Sequence, residues 1–327
     1  MDFNLHFSGA PLSCCNLTGN SIPRVTTSRR RALAAALTLT LVSILTGCRS
    51  GLSPVPTQHP GALAISGPRQ EALHFEIADF FKPADGANHG SLEMVMAPLI
   101  IQEVFSISDE PRIFGQLTAN AVSPLIEPPS ASYWHADTIW LREQVLPRLS
   151  YFWFYSQPAS RSSQTRQQLV CRGIRITLNT SGQPIIWEIL PDSDQTAVLY
   201  VAHSLEEAAK AEFGPPLPGR RFSIEAAVEG HPHVSIARLI DDGPVPMGPI
   251  VYLLANNSAV GTLICRCMRA QATHLRSTSS YILVPASELQ SAWLQTLPAN
   301  VQKAISSWLQ PNLDSKLAVH LRIPGNL

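Results

Sequence analysis

Alternating apolar and polar positions dominate the chain after residue 70 and predict β-strands. Leu73, Phe75 and Ile77 alternate with more polar residues, as one face of a strand does. The same period recurs at residues 173–178 and 184–190, on either side of the turn sequence Asn-Thr-Ser-Gly, which predicts a β-hairpin. Further strands are predicted at residues 150–156, 196–202, 222–228, 234–239, 249–254 and 317–323.

Helix signals are fewer and lie between these strands. Ser204 and Glu207 have the spacing of a capping box, and Gly214 follows as a stop, so a helix is predicted from residue 204 to about 213. Asp137 as an N-cap and Pro147 as a stop predict a short helix over residues 138–146. Two more helices are expected at 286–297 and 299–309.

The order of these elements predicts the fold class. Consecutive strands joined by hairpins, with helices set apart from them, favour an α+β fold over a doubly wound parallel sheet. We therefore expect a mostly antiparallel sheet with hairpins, a few packed helices and proline-rich loops, which the 27 prolines would supply.

The first 48 residues read as a leader. Arg29, Arg30 and Arg31 precede an uncharged apolar run at residues 32–47, which is shorter than the roughly 20 residues of a comfortable membrane span. The run ends in Leu-Thr-Gly-Cys at residues 45–48, a tetrad that resembles the lipobox of bacterial lipoproteins. In that family the cysteine receives a diacylglycerol and further acyl chains such as palmitate, and a peptidase cuts before it. The resemblance implies that Cys48 is a lipidated N-terminus.

The same resemblance implies an address in the bacterial cell envelope. The protein would be anchored to a membrane through lipid on Cys48 and would face the periplasm. Arg49 stands where enterobacterial lipoproteins retained in the inner membrane carry Asp, which favours the outer membrane. Residues 28–33 also resemble a twin-arginine export signal, with Ala32 where that family usually has Phe; an ordinary Sec leader is the alternative.

Composition fits this organisation and excludes one class of partner. With 45% apolar and 15% charged residues the chain is globular. A formal net charge of zero provides no basic face, so we expect no nucleic-acid partner. The predicted divisions are a signal peptide at 1–47, a lipidated cysteine with a Pro/Gly/Ser-rich tether at 48–70, and a single globular domain at 71–327, with a possible subdivision near 157–168.

Three cysteines carry the main candidate chemistry of that domain: Cys171, Cys265 and Cys267. Outside the cytoplasm thiols tend to oxidise, so a bond from Cys171 to one of the others is one interpretation. Three inert buried side chains are a second. A metal or redox site is a third: in a strand Cys265 and Cys267 would share a face and could bind one ion, with Zn or Cu suited to such ligands, whereas in a helix they would point apart.

Weaker cleft candidates lie in turns and proline-rich loops. We expect an arginine pair to face an aspartate pair, as a structural contact or an anion site, and a His-Pro-His turn is a further possible metal pair. These residues are Arg220, Arg221, Asp241, Asp242, His231 and His233.

Common catalytic signatures are absent from the sequence, including the P-loop, the His-Glu-x-x-His motif and the Gly-x-Ser-x-Gly elbow. Whether the protein is an enzyme therefore stays open. The sequence favours a lipid-anchored extracytoplasmic protein with a binding or envelope-structural role. The alternative is an exported metal-binding or redox enzyme that uses Cys265 and Cys267.

Overall fold

The structure is a computed structural model that describes residues 73–85, 90–109, 114–119, 124–157, 168–190, 196–227, 234–268, 271–289, 294–295, 297–309 and 316–326. The leader, Cys48, the tether, most of the possible subdivision near 157–168, and the pair His231 and His233 lie outside the described residues.

Strands account for about half of the described residues, far more than helices do. No helix in the described ranges is both long enough and apolar enough to cross a membrane. A single 3₁₀ turn, Ala286–Glu288, follows the last strand. In chain order the elements are β1 (Phe75–Pro83), α1 (Leu92–Val95), β2 (Leu99–Glu103), β3 (Gln116–Ala119), β4 (Pro124–Glu127), β5 (Ala131–Leu141), β6 (Gln144–Gln157), β7 (Gln168–Leu178), β8 (Pro184–Ile189), β9 (Ala197–Ala202), α2 (His203–Phe213), β10 (Val234–Ile240), β11 (Ile250–Leu253), β12 (Val260–Ile264), β13 (Ala272–Pro285), α3 (Ala299–Leu309) and α4 (Lys316–His320).

One large mixed sheet organises the described strands. Its eleven strands follow the order β10-β9-β8-β7-β6-β5-β13-β1-β2-β11-β12, and β3 pairs with β4 separately. The neighbours from β5 to β9, together with β1–β2 and β11–β12, are antiparallel. Four other neighbouring pairs are parallel. The predicted α+β class with a mostly antiparallel sheet is thus confirmed in outline, and the parallel pairs are an addition to it.

The parallel pairs at the centre of the sheet come from β13. Its first part pairs with β1 from Phe75↔Ala272 onward, and its last part pairs with β5 from Ile282↔Ala131 onward. The strand therefore joins the two halves of the sheet, although it comes last in chain order among the described strands. Sequence analysis missed it because the run from Thr273 to Ser280 is polar, whereas central parallel strands are usually apolar.

The sheet curls until it almost closes on itself. Arg238 on β10, one edge strand, donates a hydrogen bond to the carbonyl oxygen of Leu263 on β12, the other edge strand. The same guanidinium lies 5.8 Å from the ring centroid of Tyr200 on β9. The concave face of the curled sheet encloses the largest hydrophobic cluster.

Alternation along β6 divides the core between the two faces of the sheet. Tyr151 and Trp153 point into the enclosed cluster. Phe152 and Phe154 point outward into a second cluster that α3 covers, with the rings of Phe152 and Trp308 5.8 Å apart. All five aromatic residues from Tyr151 to Tyr155 are buried, because both faces of β6 are covered. The strand predicted from these residues at 150–156 is confirmed.

The helix predicted at residues 138–146 is wrong: these residues form the β5–β6 hairpin. Ile139 and Leu141 are buried while Trp140 is exposed, which is the period of a strand. Arg142 and Glu143 have positive φ values of 49° and 28° and make the turn. Asp137 caps no helix, because its carboxylate is paired with Arg148 on β6.

Three further predictions differ from the structure. A strand was predicted at residues 222–228, but residues 222–227 form turns with an isolated bridge at Glu225. Most of the strand predicted at residues 317–323 is the helix α4. The helix over 204–213 is confirmed, but it begins at His203 and Ser204 is not its cap. Where described, the start of the helix predicted at 286–297 is the 3₁₀ turn.

Candidate functional site

A cavity of about 320 Å³ lies where β2 and β11 end. The volume is at the lower end of the range for small-molecule sites, roughly 300–1,000 Å³. Its wall combines four polar or charged residues with three apolar ones: Gln102, Glu103, Asp109 and Arg276, with Val104, Phe105 and Ala255.

Arg276 in the wall of this cavity forms an ion pair with the buried Asp79. The side chain of Asp79 is 1% exposed, and a register shift between Ala78 and Asp79 interrupts the pairing of β1 with β13 at this point. Nε of Arg276 donates to Asp79 Oδ1 at 2.9 Å, and Nη2 donates to Oδ2. Ser277 Oγ donates to the same carboxylate at 2.7 Å. The buried charge is therefore paired and hydrogen-bonded, as burial requires.

The remaining donor nitrogen of Arg276 is also engaged. Nη1 donates to the carbonyl oxygens of Ser106 and Asp109. The hydrogen bond to Asp79 and the nearby charges of Asp79 and Asp109 raise the pKa of Arg276. This guanidinium therefore stays charged and holds the cavity loop in place, with four of its five N–H groups engaged within the protein.

Gln102 and Glu103 offer groups that the protein leaves unused. Gln102 is 2% exposed; its Oε1 accepts a hydrogen bond from the hydroxyl of Tyr155 at 3.4 Å. Its Nε2 donates to no group among the described residues. Oε2 of Glu103 accepts the N–H of Ala255 at 3.0 Å, and Oε1 has no partner within the described part of the chain.

Apolar side chains border this polar wall. Phe105 lines the cavity and is 69% exposed, and nearby Ile107 is 70% exposed. Large apolar side chains beside an open polar cavity provide a surface for the carbon skeleton of a ligand.

The Cys-x-Cys sequence lies at the end of β12, and its two sulfur atoms form a disulfide. The Cα atoms of Cys265 and Cys267 are 5.2 Å apart, within the range for such bonds. The N–H of Met268 donates to the carbonyl of Cys265 at 3.0 Å, so the pair lies in a tight turn, neither in a strand nor in a helix. Cys265 is 7% exposed, whereas Cys267 is exposed.

The interpretation that Cys171 bonds to one of these cysteines is wrong in this structure. Cys171 lies on β7 in the outer cluster covered by α3, whereas Cys265 packs in the enclosed cluster. The two residues therefore face opposite sides of the sheet. A metal would require Cys265 and Cys267 as thiolates, which the disulfide does not provide. The described residues contain no group of three or more His, Cys, Asp or Glu that could hold a metal ion.

The crevice beside this disulfide is too small for a ligand. Its volume is about 20 Å³, enough for roughly one water molecule. Arg266, between the cysteines, donates to the carbonyl of Ala97, and burial lowers the pKa of its guanidinium. Arg266 thus ties the turn to the segment that follows α1.

The aspartate pair contacts α2. Asp242 accepts the N–H of Ser204 at 2.9 Å and its hydroxyl at 2.6 Å, and Asp241 lies 3.8 Å from His203. Arg221 lies over the ring of Phe222, 5.0 Å from its centroid, and reaches the carbonyl of Ala237. Asp242 therefore caps the start of α2, a role that the sequence analysis assigned to Ser204.

A buried polar ladder crosses the outer face of the sheet. His135, Ser150, Arg175 and Glu188 are register neighbours on β5 to β8. Arg175 bonds Ser150, Glu188 and the carbonyl of Trp308 at the end of α3. Burial lowers the pKa values of both His135 and Arg175. Because Arg175 contacts α3, we assign this ladder to helix docking.

The cavity residues were absent from the sequence-based candidates, although one signal was available. Asp79 is the one charged residue in the stretch from Ile77 to Phe81, and a carboxylate in a buried strand requires a partner. The sequence gives no means of finding that partner, since Arg276 lies 197 positions further along.

Comparisons with known proteins do not assign this chain to a family. The chain has no significant match among family models, curated proteins or solved structures.

Proposed function

We propose that this protein is held at a bacterial membrane by lipid on Cys48 and that its folded unit binds a small polar ligand outside the cytoplasm. The leader supports the lipid anchor, and the 320 Å³ cavity between Gln102 and Arg276 supports the binding of a ligand.

The leader supports anchoring because its three parts occur in the required order. Arginines at 29–31, an uncharged apolar run and the tetrad that ends in Cys48 follow one another without a gap. The Cys265–Cys267 disulfide is consistent with an oxidising compartment. Lipid on Cys48 would place the tether between the membrane and the folded unit.

The cavity supports binding over a purely structural role. It is about sixteen times the volume of the crevice beside the disulfide, 320 against 20 Å³. It also contains the side-chain amide of Gln102, whose Nε2 has no partner among the described residues and can donate to a ligand.

Metabolic labelling with an alkyne analogue of palmitate tests the anchor. The wild-type protein and Cys15→Ser, a matched change of a leader cysteine outside the tetrad, are expected to incorporate the label. Cys48→Ser is expected to lose it and to leave the membrane fraction. Undiminished labelling of Cys48→Ser would contradict the proposal.

The alternative of a redox enzyme has one observation in its favour. Cys267 is the exposed sulfur of a Cys-x-Cys disulfide, and an exposed sulfur is open to attack by a thiolate. Thiol counting on the processed, denatured and unreduced protein is expected to find one reactive thiol, Cys171. Three reactive thiols together with bound zinc or copper in metal analysis would instead favour the metal-binding form of this alternative.

A further inference from the structure

We infer that the cavity binds a small amine bearing hydroxyl groups, such as an amino sugar. The inference names the ligand class of the proposed binding site and rests on that proposal. The unused carboxylate oxygen of Glu103, the unused amide of Gln102 and the exposed ring of Phe105 together define this class.

Charge around the cavity favours a cationic ligand. Two carboxylates, Glu103 and Asp109, line the cavity together with the guanidinium of Arg276, which is paired with the buried Asp79. The Asp79–Arg276 pair is neutral as a unit, and four of the five N–H groups of Arg276 donate to Asp79 and to two carbonyl oxygens. An anion would therefore meet a guanidinium whose charge Asp79 already neutralises, whereas an ammonium group would meet Glu103 and Asp109. Attraction between opposite charges at such sites is strengthened by partial exclusion of water.

An organic cation fits these carboxylates better than a metal ion. Binding of a divalent metal needs several oxygen ligands that converge on one point. The carboxylates of the cavity do not form such a group. An amine needs no such convergence and can be bound by a single carboxylate oxygen, such as the unused Oε1 of Glu103.

The ligand also needs a hydrogen-bond acceptor and an apolar face. Nε2 of Gln102 is held in place by the hydrogen bond of Oε1 to Tyr155, and it can donate to a hydroxyl oxygen. Phe105 offers a ring at the rim. Because 320 Å³ is near the lower limit for ligand sites, the ligand has about the size of one sugar ring.

Calorimetric titration of the processed, lipidated protein in non-ionic detergent tests the inference with three sugars of one ring shape. D-glucosamine is cationic at about pH 6, below the ordinary pKa of an amine; D-glucose is neutral and D-glucuronate is anionic. We expect glucosamine to bind at least about tenfold more tightly than the other two, a difference of about 1.4 kcal/mol. Its affinity should fall as the salt concentration rises.

Variants locate the binding site. Glu103→Gln keeps an acceptor for the N–H of Ala255 and removes only the charge, so we expect at least a fivefold loss of glucosamine affinity with an unchanged unfolding midpoint. Glu76→Gln changes an exposed carboxylate outside the cavity and should bind as wild type. Gln102→Leu removes the amide that donates to a hydroxyl group of the ligand, so it should also weaken the binding of glucosamine.

Each of the other outcomes contradicts either the amine inference or the proposed binding function. Equal or tighter binding of glucose or glucuronate would overturn the amine inference and leave the binding function in place. Glucosamine binding that Glu103→Gln does not alter would move the site away from this cavity and overturn the inference. No binding of any of the three sugars would overturn both the inference and the binding half of the proposed function, while the lipid anchor is decided separately by labelling.

Discussion

Two buried ion pairs of this protein cross between strands. Asp137 and Arg148 have side chains that are 8% and 1% exposed, and Nε of Arg148 donates to Asp137 Oδ1 at 2.9 Å. Asp79 and Arg276 repeat the arrangement on the other side of β13. The sequence shows each charge but not its partner, because the partner is set by strand register. Site residues were therefore harder to predict than strands.

Asp137→Asn is expected to destabilise the protein strongly. The change leaves the guanidinium of Arg148 buried without its counter-charge, which typically costs about 3–5 kcal/mol. Urea unfolding at neutral pH measures the loss. Glu212→Gln removes the partner of Arg142 in an ion pair whose side chains are 33% and 48% exposed, and it should shift the midpoint far less. Equal shifts for the two variants would show that the Asp137–Arg148 pair contributes no more than a surface pair.

At the scale of elements, local signals succeeded where burial follows a simple period. The β7–β8 hairpin and α3 were predicted because alternation or helical spacing coincides with their buried faces. The 138–146 segment failed because the capping and stop signals at Asp137 and Pro147 outweighed an equally visible alternation. Strand β13 failed because its polar half is stabilised by neighbours almost 200 residues away, which no local pattern reports.

The start of α2 depends on Asp242, although the sequence pointed to Ser204. Asp242 accepts from the N–H and the hydroxyl of Ser204, so it satisfies one of the unpaired N–H groups of the first turn. Asp242→Ala is expected to cost about 1 kcal/mol in thermal or urea unfolding. Asp241→Ala, the matched change one residue earlier, should cost clearly less. The reverse order would assign the cap to Asp241.

Contact between α1 and the loop before β11 requires glycine at position 248. A Cβ atom there would lie 2.0 Å from the carbonyl oxygen of Met96 and 2.9 Å from that of Ala97. Gly248→Ala should therefore force the two backbones apart and cost about 1–3 kcal/mol, read from the urea midpoint. At Gly325 a Cβ would meet only the flexible side chains of Arg142 and Glu212, at 3.5 Å or more. Gly325→Ala should change stability by no more than about 0.5 kcal/mol.

For the whole molecule, the position of β13 makes the sheet depend on contacts distant in sequence. Phe75 pairs with Ala272 and Ala131 with Ile282, so neither half of the sheet is joined to the other until the last strand is in place. Such pairings close long loops, and they slow folding. We expect cooperative stability to be greatest along β13 and its two neighbours.

Hydrogen exchange followed by mass spectrometry tests this distribution. Peptides from β1, β5 and β13 should exchange most slowly, because strands paired on both sides open only with the sheet. Peptides from β3 and β4 form a separate two-stranded sheet and should exchange fastest among the strands. Exchange from β13 as rapid as that from β3 and β4 would show that the two halves of the sheet open independently.

The bond from Arg238 to Leu263 has a consequence for how the molecules behave when crowded. Open edges of sheets recruit strands from other copies and so begin aggregation. Here the edge strands β10 and β12 are brought together by that bond, and a positive charge lies within the gap. While this contact is closed, less of either edge is open to a strand from another copy. We therefore expect the curl of the sheet, to which Arg238 contributes, to protect the protein against aggregation.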